Sequence, residues 1–85
     1  MQQIIRKFEQ IQNKPATIVL NHKLFGKQVC NVDKFDFINT NDKLGVCVRG
    51  QDIYICKSDI SEAKVYNDIL MFSDKRFKII INVKK

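Results

Sequence analysis

The chain lacks most of what marks an enzyme, a membrane protein or a secreted scaffold. It has no apolar run near the ~18 residues that suggest a membrane span. Its start, Met1 to Phe8, follows the first apolar pair with Arg6 and Lys7, so a signal-peptide core is missing. Cys30, Cys47 and Cys56 are an odd number with no C-x-x-C pair, which argues against a disulfide framework and a structural zinc site. Each cysteine sits among apolar residues in a strand-like stretch, where a free thiol is expected to act as a small buried hydrophobe. These absences point to a cytoplasmic protein with no membrane partner.

Catalytic equipment is equally sparse. The three glycines are scattered and form no phosphate-cradling loop, and no serine has the small-residue context of a nucleophile elbow. The one histidine, His22, lies between Asn21 and Lys23 and is expected as a surface loop residue. Asp33 with Asp36, and Asp59 with Glu62, are close acidic pairs without a partner set for acid–base work. Turn capping or solvated charge is their expected role. The sequence therefore predicts no catalytic residue, no metal ligand and no cofactor.

What is present is a single small domain spanning residues 1–85. At 45% hydrophobic and 28% charged residues, it is too apolar for disorder. Fifteen Lys and Arg against nine Asp and Glu give a net charge of +6, unevenly spread. Residues 1–28 carry +4, residues 29–56 carry −1 and residues 57–85 carry +3. Two basic ends flank a slightly acidic middle, a distribution that permits a polyanionic partner.

Ile4, Ile5, Phe8 and Ile11 form one helical stripe against Arg6, Lys7, Glu9, Gln10 and Gln12, which predicts a helix over 3–12. Asn13 suits its end and Pro15 stops it. Beyond Pro15 the period moves towards two. Ala16 to Leu20 is a β-branched run, Asn21 to Gly26 a loop, and Lys27 to Val32 a second strand. Phe35 and Phe37 alternate across Asp36, and Asn39-Thr40-Asn41-Asp42 is a turn cluster.

A hairpin follows over 44–57, with Leu44, Val46 and Val48 on one face and Ile53 and Ile55 on the same face of the return strand. A two-residue turn at Gly50-Gln51 would pair Val48 with Ile53, Val46 with Ile55 and Cys47 with Tyr54. Residues 58–72 admit two readings. Asp59 and Glu62 suit a helical capping box leading into Ile60, Ala63, Ile69 and Leu70. As strand, the segment places Ala63, Val65, Ile69 and Met71 on one face. Ser73-Asp74-Lys75 is a turn, and Phe77, Ile79, Ile81 and Val83 alternate along an amphipathic last strand.

The stretch Thr17 to Ser61 resembles the bacterial Sm-like RNA chaperones, the Hfq-type relatives of eukaryotic Sm proteins. The resemblance rests on a short helix, the strand Thr17-Ile18-Val19-Leu20-Asn21, and Val32-Asp33-Lys34-Phe35-Asp36, with its aromatic followed by Asp. It continues in Ile53-Tyr54-Ile55-Cys56-Lys57-Ser58-Asp59-Ile60-Ser61, which is similar to the family's second motif. It covers about half the chain, and its motifs are short. It implies a mainly β fold with an N-terminal helix, a small Sm- or SH3-like barrel of five or six antiparallel strands. Residues 16–65 would form the barrel and 66–85 a C-terminal strand extension; the alternative is an α+β fold with a second helix at about 59–71. Lys57 matches the family's RNA-binding lysine, but Ser58 stands where the family has histidine. An added C-terminal strand would cover the edge that ring assembly needs, so ring, dimer and monomer all remain open.

Two non-enzymatic functions follow. In the first, the protein binds RNA or single-stranded nucleic acid. Arg6, Lys7, Lys57, Lys75, Arg76 and Lys78 would contact phosphates, and Tyr54 or Phe37 would offer a stacking face. In the second, it is a small protein-interaction module or inhibitor encoded by a phage or other mobile element, a reading suggested by size and by a Lys-, Asn- and Ile-rich composition.

Overall fold

The computed structural model describes residues 2–84. One helix, α1 (Gln2–Ile11), precedes eight strands: β1 (Ala16–His22), β2 (Gly26–Val32), β3 (Phe37–Asn39), β4 (Lys43–Val48), β5 (Gln51–Cys56), β6 (Glu62–Tyr66), β7 (Ile69–Ser73) and β8 (Phe77–Val83). A 3₁₀ turn, Lys57–Asp59, joins β5 to β6. The fold is mainly β behind an N-terminal helix. Its strands number eight, not five or six, and they form two antiparallel sheets that do not close into a barrel. The larger sheet has the order β2-β1-β8-β7-β6 and the smaller β3-β4-β5.

The helix forms because its apolar residues recur on one face, and Ile4, Phe8 and Ile11 are all buried. Asn13 ends it in the left-handed region at φ 67°, a conformation asparagine tolerates better than most residues. The chain leaving the helix then pairs with a distant loop. The Asn13 amide donates to the Phe35 carbonyl (2.9 Å), and the Phe35 amide donates to the Lys14 carbonyl (2.7 Å). Asp36 braces the same junction, its Oδ1 accepting from Gln12 Nε2 and from the Phe37 amide at 3.0 Å each. Phe8 therefore lies against Phe35, Phe37 and Phe72, with ring centroids 5.5, 4.9 and 6.0 Å away.

Between the sheets, Ile18 and Leu20 of β1, Leu44, Val46 and Val48 of β4, and Leu70, Phe72, Ile79 and Ile81 of β7 and β8 complete the core. The segment expected as a C-terminal extension supplies the central strand. β8 pairs with β1 on one side and β7 on the other, placing Ile18 opposite Ile81 and Leu20 opposite Ile79.

Two local expectations need correction. Residues 59–71 hold no second helix: β6 and β7 form a hairpin there, with Val65 opposite Leu70 and Ala63 opposite Phe72. The two-residue turn at Asn67-Asp68 pairs odd with even positions, so Leu70 and Phe72 face inward while Ile69 and Met71 take the other face. In the β4–β5 hairpin the turn residues are Arg49 and Gly50, at φ 51° and 80°, as a type I′ turn demands. Val46 thus pairs with Ile53, Leu44 with Ile55 and Cys47 with Asp52. The displacement is two residues, so every side chain keeps its predicted face.

Gly45 shows how closely the smaller sheet packs. A Cβ there would collide with the Ile53 carbonyl oxygen and with Cα and Cβ of Tyr54 opposite. Gly45→Ala is expected to destabilise the domain by about 1–3 kcal/mol through overpacking. Phe8→Ala is expected to cost about 3–5 kcal/mol, comparable with the roughly 4–13 kcal/mol total of a domain this size. Urea unfolding followed by circular dichroism would show a lowered midpoint for the Gly45 variant and a larger drop for the Phe8 variant.

Candidate nucleic-acid interface

β1 and β8 run antiparallel, so the turn after β1 and the turn before β8 meet at one end of the larger sheet. His22 pairs with Phe77 and Asn21 with Lys78. The Lys23 amide donates to the Arg76 carbonyl (3.0 Å), stitching the two turns together. This brings Lys23, Lys75, Arg76 and Lys78 to one end of the molecule. Lys75 and Arg76 line three shallow grooves, one with Ser58, Ile60 and Ser61, one with Asn21, Lys23, Glu62 and Lys78, and one with Lys23 and Leu24.

Each turn is held by its own side chain. Asp74 Oδ1 accepts from the Arg76 and Phe77 amides at 2.7 Å each, an Asx-type cap that fixes the Lys75-Arg76 corner. His22 is the end of a strand, not the expected surface loop residue. Its half-buried ring packs 4.7 Å from Phe25, and Nδ1 accepts from the Leu24 and Phe25 amides at 3.0 and 3.4 Å. That cap, with Gly26 at φ 84°, holds the tight turn that lifts Leu24 and Phe25 clear of the core. Phe25 is 86% exposed and Leu24 79%.

Acidic groups near this end are partly spent. Asp74 is committed to its turn. Glu62 lies 3.0 Å from Lys64, whose hydrogen bond and charge hold the Glu62 carboxyl below the usual range, with a smaller push from Lys78. Lys64 is raised in return, chiefly by the same hydrogen bond. Asp59 is exposed in the first groove and tempers its charge. Between Glu9 and Asp33 the sequence has no acidic residue at all, so the β1–β2 turn carries only positive charge.

The remaining basic and aromatic residues singled out by sequence lie on other elements. Arg6 is exposed and Lys7 half-buried on α1, and neither lines these grooves. Tyr54 is on the outer face of the smaller sheet, where the Lys43 ammonium stands 4.3 Å from its ring centroid. Lys57 Nζ donates to Asn39 Oδ1 (2.8 Å), and its amide donates to the Asp42 carbonyl (2.7 Å), so it braces a loop of that sheet. Phe37 packs on Phe8 as part of the core. Sequence reasoning passed over Lys23, Leu24 and Phe25. The available signal was two large apolar side chains in a loop between a lysine and a glycine.

The cysteines also differ from expectation. Cys30 and Cys47 are half-buried and Cys56 is exposed. Cys47 and Cys56 alternate with core residues and so fall on the outer face of the smaller sheet. Desolvation first, then a hydrogen bond to Asp52 and the charges of Asp52 and Asp36, push the Cys47 thiol up.

No protein-family model, curated protein or solved structure matches this chain. The geometry at the β1–β2 and β7–β8 turns is thus the guide to function. Asp74→Ala removes a charged acceptor of two amides and is expected to cost about 1–3 kcal/mol. Urea titration would measure this cost, and Asp74→Asn should recover part of it.

Proposed function

We propose that this chain is a non-enzymatic protein that binds single-stranded nucleic acid at the joined β1–β2 and β7–β8 turns. One observation carries the reading: Lys23, Lys75 and Arg76 of two hydrogen-bonded turns, with Lys78 at the start of β8, gather at the end of the sheet that displays a nearly fully exposed phenylalanine. Lys23, Lys75, Arg76 and Lys78 supply charge for consecutive phosphates, while Phe25 offers a ring face on which an unpaired base can stack. Stacking tolerates any base, so the predicted binding has little sequence preference. The resemblance to Sm-like RNA chaperones supports the same partner class. The site proposed is different, because Lys57 and Tyr54 are engaged with Asn39 and Lys43.

Fluorescence anisotropy with a labelled single-stranded oligonucleotide tests the proposal. Four phosphate contacts predict a slope of log affinity against log salt of about −3. Replacing Lys75 or Arg76 by Ala should flatten that slope by about 0.7 each. Phe25→Ala should cost about 1–3 kcal/mol of binding, with the salt slope unchanged. Affinity that ignores salt, or survives both changes, would rule the site out.

A further inference from the structure

Among the described residues, the two sheets leave four strands with an unpaired edge: β2 and β6 in the larger sheet, β3 and β5 in the smaller. Natural proteins blunt such edges with charge, proline, bulges or brevity. All four carry one, but β2, the longest of them, has only Lys27 near one end. β6 bears the Glu62–Lys64 ion pair, β5 carries Asp52, and β3 is only three residues long. β2 is seven residues long, is paired with β1 without a bulge, and contains one lysine, no acid and no proline. Its central residue, Val29, is 55% exposed at the end of an apolar row, Val29-Val19-Ile80-Met71, that crosses the outer face of the sheet.

We infer that β2 is the interface for a second copy of this chain, paired antiparallel about a two-fold axis at Val29. The charges select this arrangement. Lys27 lies near one end of β2, and Asp33 is the first residue beyond the other. Antiparallel self-pairing sets Val29 against the partner's Val29 and Lys27 against the partner's Asn31. Lys27 then sits diagonally from the partner's Asp33, within reach of a long side chain, and symmetry makes this contact twice. No like charges meet along the strand. A parallel pairing in register would set Lys27 against its own copy.

The same operation covers a groove. On the inner face, Gln28 and Cys30 border a depression shared with Leu20, Val48 and Ile53, where β2 and β5 fail to join. An added strand beside β2 lies along the mouth of that depression and extends the larger sheet to ten strands across the two copies. It also sends the two basic turn clusters to opposite ends of the dimer, so their mutual repulsion does not oppose association.

Sedimentation equilibrium over a concentration series, without nucleic acid, decides the matter. The chain mass of 10.0 kDa is expected to rise towards twice that value as concentration increases. Val29→Lys places two ammonium groups on the axis and should weaken association at least tenfold. Lys27→Glu should weaken it several-fold, and the double variant Lys27→Glu, Asp33→Lys should restore it. All three positions are exposed, and circular dichroism would confirm folding in each variant. A monomer at every concentration, or a dimer indifferent to Val29→Lys, overturns the interface. Failure of the double variant to recover overturns the antiparallel register.

Discussion

Among the described residues, no strand of the smaller sheet pairs with a strand of the larger, so the ladders alone do not make these two layers one body. A shared core makes the connection, and within it the Phe8 ring spans both layers. It touches Phe72 of the larger sheet, Phe37 of the smaller and Phe35 in the loop between β2 and β3. The backbone bonds between residues 13–14 and Phe35 then fix where the helix ends relative to that loop. Non-directional burial and two directional bonds act on the same point. Hydrophobic area alone would let the helix slide over the sheets; the paired amides at 13 and 35 set its position.

That arrangement determines which surfaces remain open. The helix occupies the interior side, leaving the outer face of the larger sheet and the β2 edge in solvent. The buried part of β1 ends at Leu20, so the residues beyond it lie past the core. Side chains in the β1–β2 turn therefore contribute little to packing. Leu24 and Phe25 are displayed, with His22 and Gly26 supplying the turn geometry beneath them. A turn of this kind requires the glycine and an acceptor, and it places no demand for leucine or phenylalanine at its tip.

Much of this was legible where one local period decides the outcome. Ile4, Phe8 and Ile11 mark the helix, and Ile79 and Ile81 mark the last strand, because burial on one side leaves a regular trace. The β4–β5 hairpin was legible in face but not in register. Alternation fixes parity, whereas register depends on Arg49 adopting a left-handed conformation that arginine does not advertise. Residues 58–72 resisted reading because β7 is fixed by pairing with β8 and β6 by pairing with β7. Capping residues and strand formers in the segment give conflicting local preferences. The basic cluster was hidden for a related reason: Lys23 and Arg76 are neighbours only through the β1–β8 ladder, which joins strands far apart in the chain.

The same ladder changes the meaning of the charge distribution. Along the sequence there are two basic ends around a slightly acidic middle. Antiparallel pairing of the first and last strands folds parts of those ends onto each other, and two separate excesses become one cluster. Folding gains nothing from that juxtaposition, since like charges brought together oppose the compact state. The turns themselves are held by Asp74, His22 and Gly26, not by the lysines and arginine around them. Residues whose identity the fold does not require, and whose charge it tolerates at some cost, are those whose chemistry calls for an explanation outside the fold. Under the proposed function, an anionic ligand would relieve that repulsion at the same end of the sheet that displays Phe25.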